Sequence, residues 1–102
     1  MTQADATVLR LEGELNIYRA AELKDEILRA VEGAAALEID LSAIEEIDTA
    51  GVQLLMLAKR HAQGMRHELR LAEHSAAVLE VLGTLNLAAF FGDPLVVPAR
   101  RA

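Results

Sequence analysis

The chain has no cysteine and no tryptophan, and only two prolines and three aromatic residues in 102 positions. Without cysteine there is no disulfide frame, no thiol nucleophile and no cysteine-ligated zinc, a pattern that suits a reducing compartment. With Tyr18, Phe90 and Phe91 as its aromatics, it offers no stacking platform for single-stranded nucleic acid. Positive charge is also scarce: ten Lys and Arg stand against sixteen Asp and Glu, for a net charge of −6. The adjacent basic pairs are Lys59-Arg60 and Arg100-Arg101. Nucleic-acid binding draws most of its affinity from clustered cations, so it is excluded as a partner class.

Long hydrophobic runs are missing too. Each apolar stretch is broken by charge before the roughly 18 residues a membrane span needs, so no direct membrane insertion is expected. The first residues, Met1-Thr2-Gln3-Ala4-Asp5, have neither the basic start nor the apolar centre of a secretory signal. A cytoplasmic location is the expectation.

What is present is aliphatic. Apolar residues make up 53% of the chain, enough to fold rather than stay disordered, and 102 residues support one domain with one core. No repeat, low-complexity tract or linker divides residues 1–102, so the chain is expected to be a single domain.

Hydrophobic periodicity gives the elements. Thr7 to Glu12 and Glu14 to Ile17 alternate on either side of Gly13, predicting two short strands or one strand bent at the glycine. From about Ala20 the period lengthens, with Leu23, Ile27, Ala30 and Val31 on one face; this predicts an amphipathic helix ending near Gly33. Ala36 to Leu41 predicts a strand, and Ser42 to Asp48 leads away from it. Thr49-Ala50-Gly51 opens a helix from Val52 to about Gln63, ended by Gly64, whose apolar run at 54–58 predicts deep burial. A strand is expected over Glu68–Ala72. Ser75 is the expected cap of a helix carrying Val78, Leu79, Leu82 and Leu85, and Leu95-Val96-Val97 a last edge strand.

The fold class is therefore α/β, a small mixed but mostly parallel sheet with crossover helices that are right-handed by rule. In such sheets functional groups gather beyond the carboxyl ends of the strands, where Ser42 to Gly51 is expected to lie.

Few catalytic patterns can be written. His61, His67 and His74 lie on no shared helical face and form no metal motif, so they read as solvated histidines and no metal is expected. Phosphate-binding glycine loops and nucleophile elbows are absent, and no cofactor is expected. Asp40 as a receiver-type phospho-acceptor would need further acids and a strand-end lysine. Lys24 and Lys59 both fall on predicted helices, so Asp40 is expected to bond to nearby loop amides. A small catalytic site using Asp48 and Thr49 has no identifiable substrate. Phe90-Phe91 reads as an anchor of the last helix in the core.

Ile47-Asp48-Thr49-Ala50-Gly51 is the most informative stretch. Asp48 or Thr49 can cap the helix and accept its free amides. Gly51 sacrifices about 1 kcal/mol of helix propensity relative to alanine, which implies that the backbone must approach something closely.

These residues carry a resemblance. Gly13-Glu14-Leu15, Leu37-Glu38-Ile39-Asp40-Leu41-Ser42, Ile47-Asp48-Thr49-Ala50-Gly51 and Leu69-Arg70-Leu71 resemble the STAS domain of bacterial anti-sigma-factor antagonists, over about residues 6–97. Asp-Thr-Ala-Gly also occurs in aspartic proteases, but those need a longer, β-rich chain and a second copy of the motif. The resemblance implies a non-enzymatic regulator that binds an anti-sigma factor with serine-kinase activity by partner switching. It also implies Thr49 as the phosphorylation site, and Asp48, Thr49, Ala50, Gly51, Asp40 and Ser42 as partner-binding residues. Where relatives often have aspartate, this chain has Asn16. The resemblance also extends to small STAS subunits on the ATPase of lipid-transporting ABC systems, which tend to carry a threonine at the Thr49 position, and to STAS proteins of chemotaxis or two-component systems.

Overall fold

The computed structural model describes residues 7–91. The strand expected at Leu95-Val96-Val97 lies outside the described residues. The order is β1 (Thr7–Leu15), α1 (Ile17–Gly33), β2 (Ala36–Ile47), α2 (Thr49–Met65), β3 (Glu68–Ala72), α3 (Ala76–Thr84) and the short α4 (Ala88–Phe91). The described sheet has the order β1-β2-β3 with both pairings parallel. Parallel neighbours require crossovers, and α1 and α2 supply them. The two helices pack against each other, and α3 packs on β2.

One aliphatic core holds these layers. Leu23, Ile27 and Val31 from α1 meet Leu37, Ile39 and Leu41 from β2, Val52, Leu55 and Ala58 from α2, and Val78 and Leu82 from α3. The deep burial expected of α2 is found: Gly51, Val52, Leu54, Leu55, Ala58 and Ala62 are all buried. Phe91 is buried, and Phe90 stands edge-on to it with the Arg60 guanidinium 5.3 Å from its ring centre. The expected anchor of the last helix is thus present.

The structure corrects the sequence reading in several places. The first two strand segments form a single strand, β1, which ends at Leu15, and α1 begins at Ile17 rather than near Ala20. Asn16 makes the difference, because its Oδ1 accepts the N–H groups of Tyr18 and Arg19 and so starts the helix early. No glycine cap follows α1, whose capping residue is Ala34 in extended conformation. Gly64 lies inside α2, and the left-handed cap is Arg66, whose N–H reaches the carbonyls of Ala62 and Gln63.

β2 also differs. Rather than ending at Leu41, it runs to Ile47 and pairs with β1 along the way. Ser42 to Ile47 is therefore strand, not a loop beyond a strand end. Two irregularities accompany the extension. Leu41 and Ser42 together stand against Leu11, and Glu45 has no partner between the pairs Gly13–Ile44 and Glu14–Glu46. Gly13 sits between them at φ +81°, a conformation a side chain rarely adopts. Arg19 straps this segment, its Nη1 donating to the carbonyls of Glu12 at 2.7 Å and Glu14 at 2.6 Å.

Of the three histidines, His74 is not the solvated group expected, while His61 and His67 stay partly exposed. His74 is 5% exposed, His61 donates to the Glu32 carboxylate at 2.9 Å, and the Nδ1 of His67 donates to the Val31 carbonyl at 2.8 Å. The last two tie the end of α1 to the end of α2 and to the start of β3. Lys59 donates to the Leu69 carbonyl of β3 at 2.8 Å. Among the described residues no group of three or more His, Asp or Glu is placed to hold a metal, and no helix is long and apolar enough to cross a membrane.

Candidate functional site

The carboxyl ends of β1 and β2 deliver Leu15 and Ile47 side by side. Each strand then passes through one residue, Asn16 or Asp48, into a helix. Two helix N-termini are thereby brought together, and Asp48 serves both. Its Oδ1 accepts the Gly51 N–H of α2 at 3.0 Å, and its Oδ2 accepts the Ile17 N–H of α1 at 3.2 Å. Its own N–H donates to the Leu15 carbonyl. A carboxylate suits this position, since it satisfies orphan amides and meets the positive ends of both helix dipoles.

Gly51 explains the missing side chain anticipated from its sequence. A Cβ there would collide with the Leu15 carbonyl oxygen and lie 2.9 Å from Leu15 Cγ and 3.0 Å from Ile47 Cγ1. The first turn of α2 therefore rests directly on the end of β1. This close seat fixes where Thr49 stands.

Thr49 is the first residue of α2 and is exposed, beside the half-buried Asp48 and Ala50. It lines a shallow groove of about 430 Å³ with Ile47, Asp48, Glu80, Val81, Thr84 and Leu85. One wall of the groove is thus the α2 entrance and the other the outer face of α3. The threonine is accessible to a large partner without any opening of the fold.

Asp40 and Ser42 stand elsewhere. The Ser42 N–H donates to Asp40 Oδ1 at 2.8 Å, inside the irregular part of β2. That bond is the main cause holding the Asp40 carboxyl below its ordinary pKa, helped by the Ser42 hydroxyl and by Arg10 and opposed by burial. Five residues of strand separate Ser42 from Asp48, on the order of 15–20 Å. Of the residues grouped in the sequence, Asp48, Thr49, Ala50 and Gly51 come together and Asp40 and Ser42 do not. Sequence reasoning missed Asn16, Ile17 and Tyr18 at the same corner. The signal was there, since asparagine followed by a helical stretch is a cap pattern.

Comparison with known proteins agrees with this fold. Three solved structures share the fold. An anti-sigma factor antagonist from Mycobacterium paratuberculosis is 22% identical, with a TM-score of 0.78 over 94% of this chain and 83% of the other. The anti-sigma factor antagonist SpoIIAA in its unphosphorylated form is 21% identical, with a TM-score of 0.68 over 93% and 85%. The Bacillus cell fate determinant SpoIIAA in its phosphorylated form is 20% identical, with a TM-score of 0.63 over 93% and 88%. A family model described as "Mlab, STAS domain" matches residues 2–97. The chain belongs to the STAS domain family, in the branch of that description.

Proposed function

We propose that this chain is a non-catalytic regulator that docks on a protein partner in the cytoplasm through the corner around Thr49, and that phosphorylation of Thr49 releases the partner. The observation that carries the reading is Thr49 itself, exposed as the first residue of α2 on a groove open to a macromolecule. The fold is shared with an anti-sigma factor antagonist solved in unphosphorylated and phosphorylated forms. The favoured partner is an anti-sigma factor with serine-kinase activity.

The physical logic is one of unequal environments. Phosphate adds about −1.5 to −2 charges. In the free protein that charge faces water and the positive end of α2, where anions are well received. Buried against a partner it would lose its hydration, at a cost of several kcal/mol unless cations pair with it. Asp48, Glu45 and Glu46, all close in sequence, add repulsion. Release without unfolding follows.

A second reading keeps the same face and changes the partner to the ATPase of a lipid-transporting ABC system. It is favoured by the threonine at position 49, which transporter-associated relatives tend to share.

The test is intact-mass analysis after incubation with a purified anti-sigma factor kinase of the same organism. A gain of about one phosphate, absent in Thr49→Ala, is expected. Thr49→Glu should lose the partner while Thr49→Ala keeps it, with melting temperatures within a few degrees of each other. Equal partner binding by Thr49→Glu and the unaltered chain would overturn the switch. Binding to a purified lipid-transporter ABC ATPase, with no phosphate transfer, would favour the second reading.

A further inference from the structure

Two large side chains at the start of α1, which is bonded through its backbone to the neighbour of Thr49, face water. Ile17 is 63% exposed and Tyr18, the one tyrosine of the chain, is 90% exposed. They are the first two residues of α1. Leu85, which lines the Thr49 groove, is also exposed, at 43%. The Ile17 backbone is bonded to Asp48, the neighbour of Thr49. Exposed apolar side chains thus occur both in the Thr49 groove and on the helix start tied to Asp48.

The exposed turn is also rigidly held. Asp48 fixes the Ile17 N–H, and Asn16 Oδ1 fixes those of Tyr18 and Arg19. Asn16 is in turn oriented by donating from Nδ2 to Glu14 at 3.0 Å. A tyrosine presented on fixed backbone loses little entropy on docking, and this is how interface anchors are built.

The surrounding charge selects the occupant. Glu14 and Glu46 face each other across β1 and β2 just below the turn, Glu22 lies one helical turn beyond Tyr18, and Glu80 lines the groove. The cation of this turn, Arg19, has its guanidinium on the Glu12 and Glu14 carbonyls. A second copy would bring the same acids against these and be repelled. A surface with an apolar recess rimmed by Lys and Arg would be attracted.

We infer that Ile17 and Tyr18 form, with Thr49 and Leu85, one continuous docking face, and that Tyr18 is its anchor, seated in an apolar recess with a basic rim on the partner ATPase. This rests on the reading of Thr49 as the centre of a partner face. Asp48 is the positioning residue of the arrangement, holding the turn that carries the anchor and the helix that carries the phosphorylation site.

The test uses the full chain labelled with 3-fluorotyrosine, which gives a single fluorine resonance, titrated with a purified anti-sigma factor kinase of the same organism. The resonance should shift on binding. Tyr18→Ala and Ile17→Asp should each raise Kd by about 10- to 30-fold, with unchanged melting temperature, and Kd should rise with salt. Ile17→Asp places an acid where a helix start favours one, so lost folding would not mimic lost binding. Unchanged Kd in both variants, with Thr49→Glu still abolishing binding, would overturn this inference and leave the Thr49 reading standing. Weakened binding in both, with Thr49→Glu harmless, would sink that reading and leave the anchor. A chain that is dimeric in sedimentation and made monomeric by Tyr18→Ala would overturn the inference in favour of a second copy. An anti-sigma factor kinase that does not bind the unaltered chain would overturn both.

Discussion

Asp48 accepts the backbone N–H of Ile17 at 3.2 Å, across 31 positions of sequence, with the carboxylate whose other oxygen caps its own helix at Gly51. One side chain therefore sets the relative position of two helix starts. Ordinary caps serve one helix and cost about 1 kcal/mol when lost. Asp48→Ala should cost more, about 2–3 kcal/mol, because a long-range bond of about 1 kcal/mol disappears with the cap. Asp48→Asn keeps one acceptor and should lose about half as much. Urea unfolding of the two variants checks the order, and a negligible loss for Asp48→Asn would show that only the cap matters.

The seat of α2 on β1 gives a contrast between two glycines. Gly51→Ala drives a methyl into the Leu15 carbonyl and should destabilise by about 2–3 kcal/mol. Gly64, also helical, meets nothing within 4 Å at the added methyl, so Gly64→Ala should stabilise by about 0.5–1 kcal/mol. Thermal melts of the pair should move in opposite directions.

Asp40 makes stability depend on pH in a defined sense. Its folded pKa is depressed, so the stabilisation it contributes is complete above the unfolded value of about 4 and is lost as pH falls through the lower folded value. A carboxyl-detected NMR titration should find Asp40 below the ordinary range. Since the backbone N–H of Ser42 is the leading cause, Ser42→Ala should leave most of the depression in place; a return to the ordinary value would assign it to the hydroxyl instead.

The apolar run of α2 is not uniform. Leu55 is fully buried, whereas Leu57 is 37% exposed. Leu55→Ala should cost about 3–4 kcal/mol and Leu57→Ala no more than about 1 kcal/mol, measurable by chemical denaturation. Similar losses would mean that Leu57 packs more deeply than its exposure indicates.

The helices of the core were readable because their patterns are regular: Leu23, Ile27 and Val31 repeat at four-residue steps. The Asp48-to-Gly51 entrance was readable because its residue types are costly anywhere else. The second half of β2 was not, since its buried residues, Leu41, Ile44 and Ile47, recur every third position. That spacing belongs to neither a strand nor a helix, and the unpaired residues at 41–42 and 45 create it by shifting the inward-facing set. At Ile17 the sequence suggests a continued strand because apolar residues alternate from Glu14 to Ile17. The structure spends it on a helix start facing water, so burial logic pointed the wrong way. His74 was misplaced for the opposite reason, being a polar residue near a predicted helix start that the core nevertheless encloses.

The bond from Lys59 to the Leu69 carbonyl bears on how the molecule behaves in a crowd. Among the described residues β3 is paired on one side only, by β2, and an unpaired strand flank is a template onto which other chains can add. The ammonium of Lys59 occupies a carbonyl of that strand. An incoming strand would have to displace a charged donor before it could form its first rungs. Lys59, which follows the apolar run at 54–58, thus guards this strand against edge-to-edge aggregation.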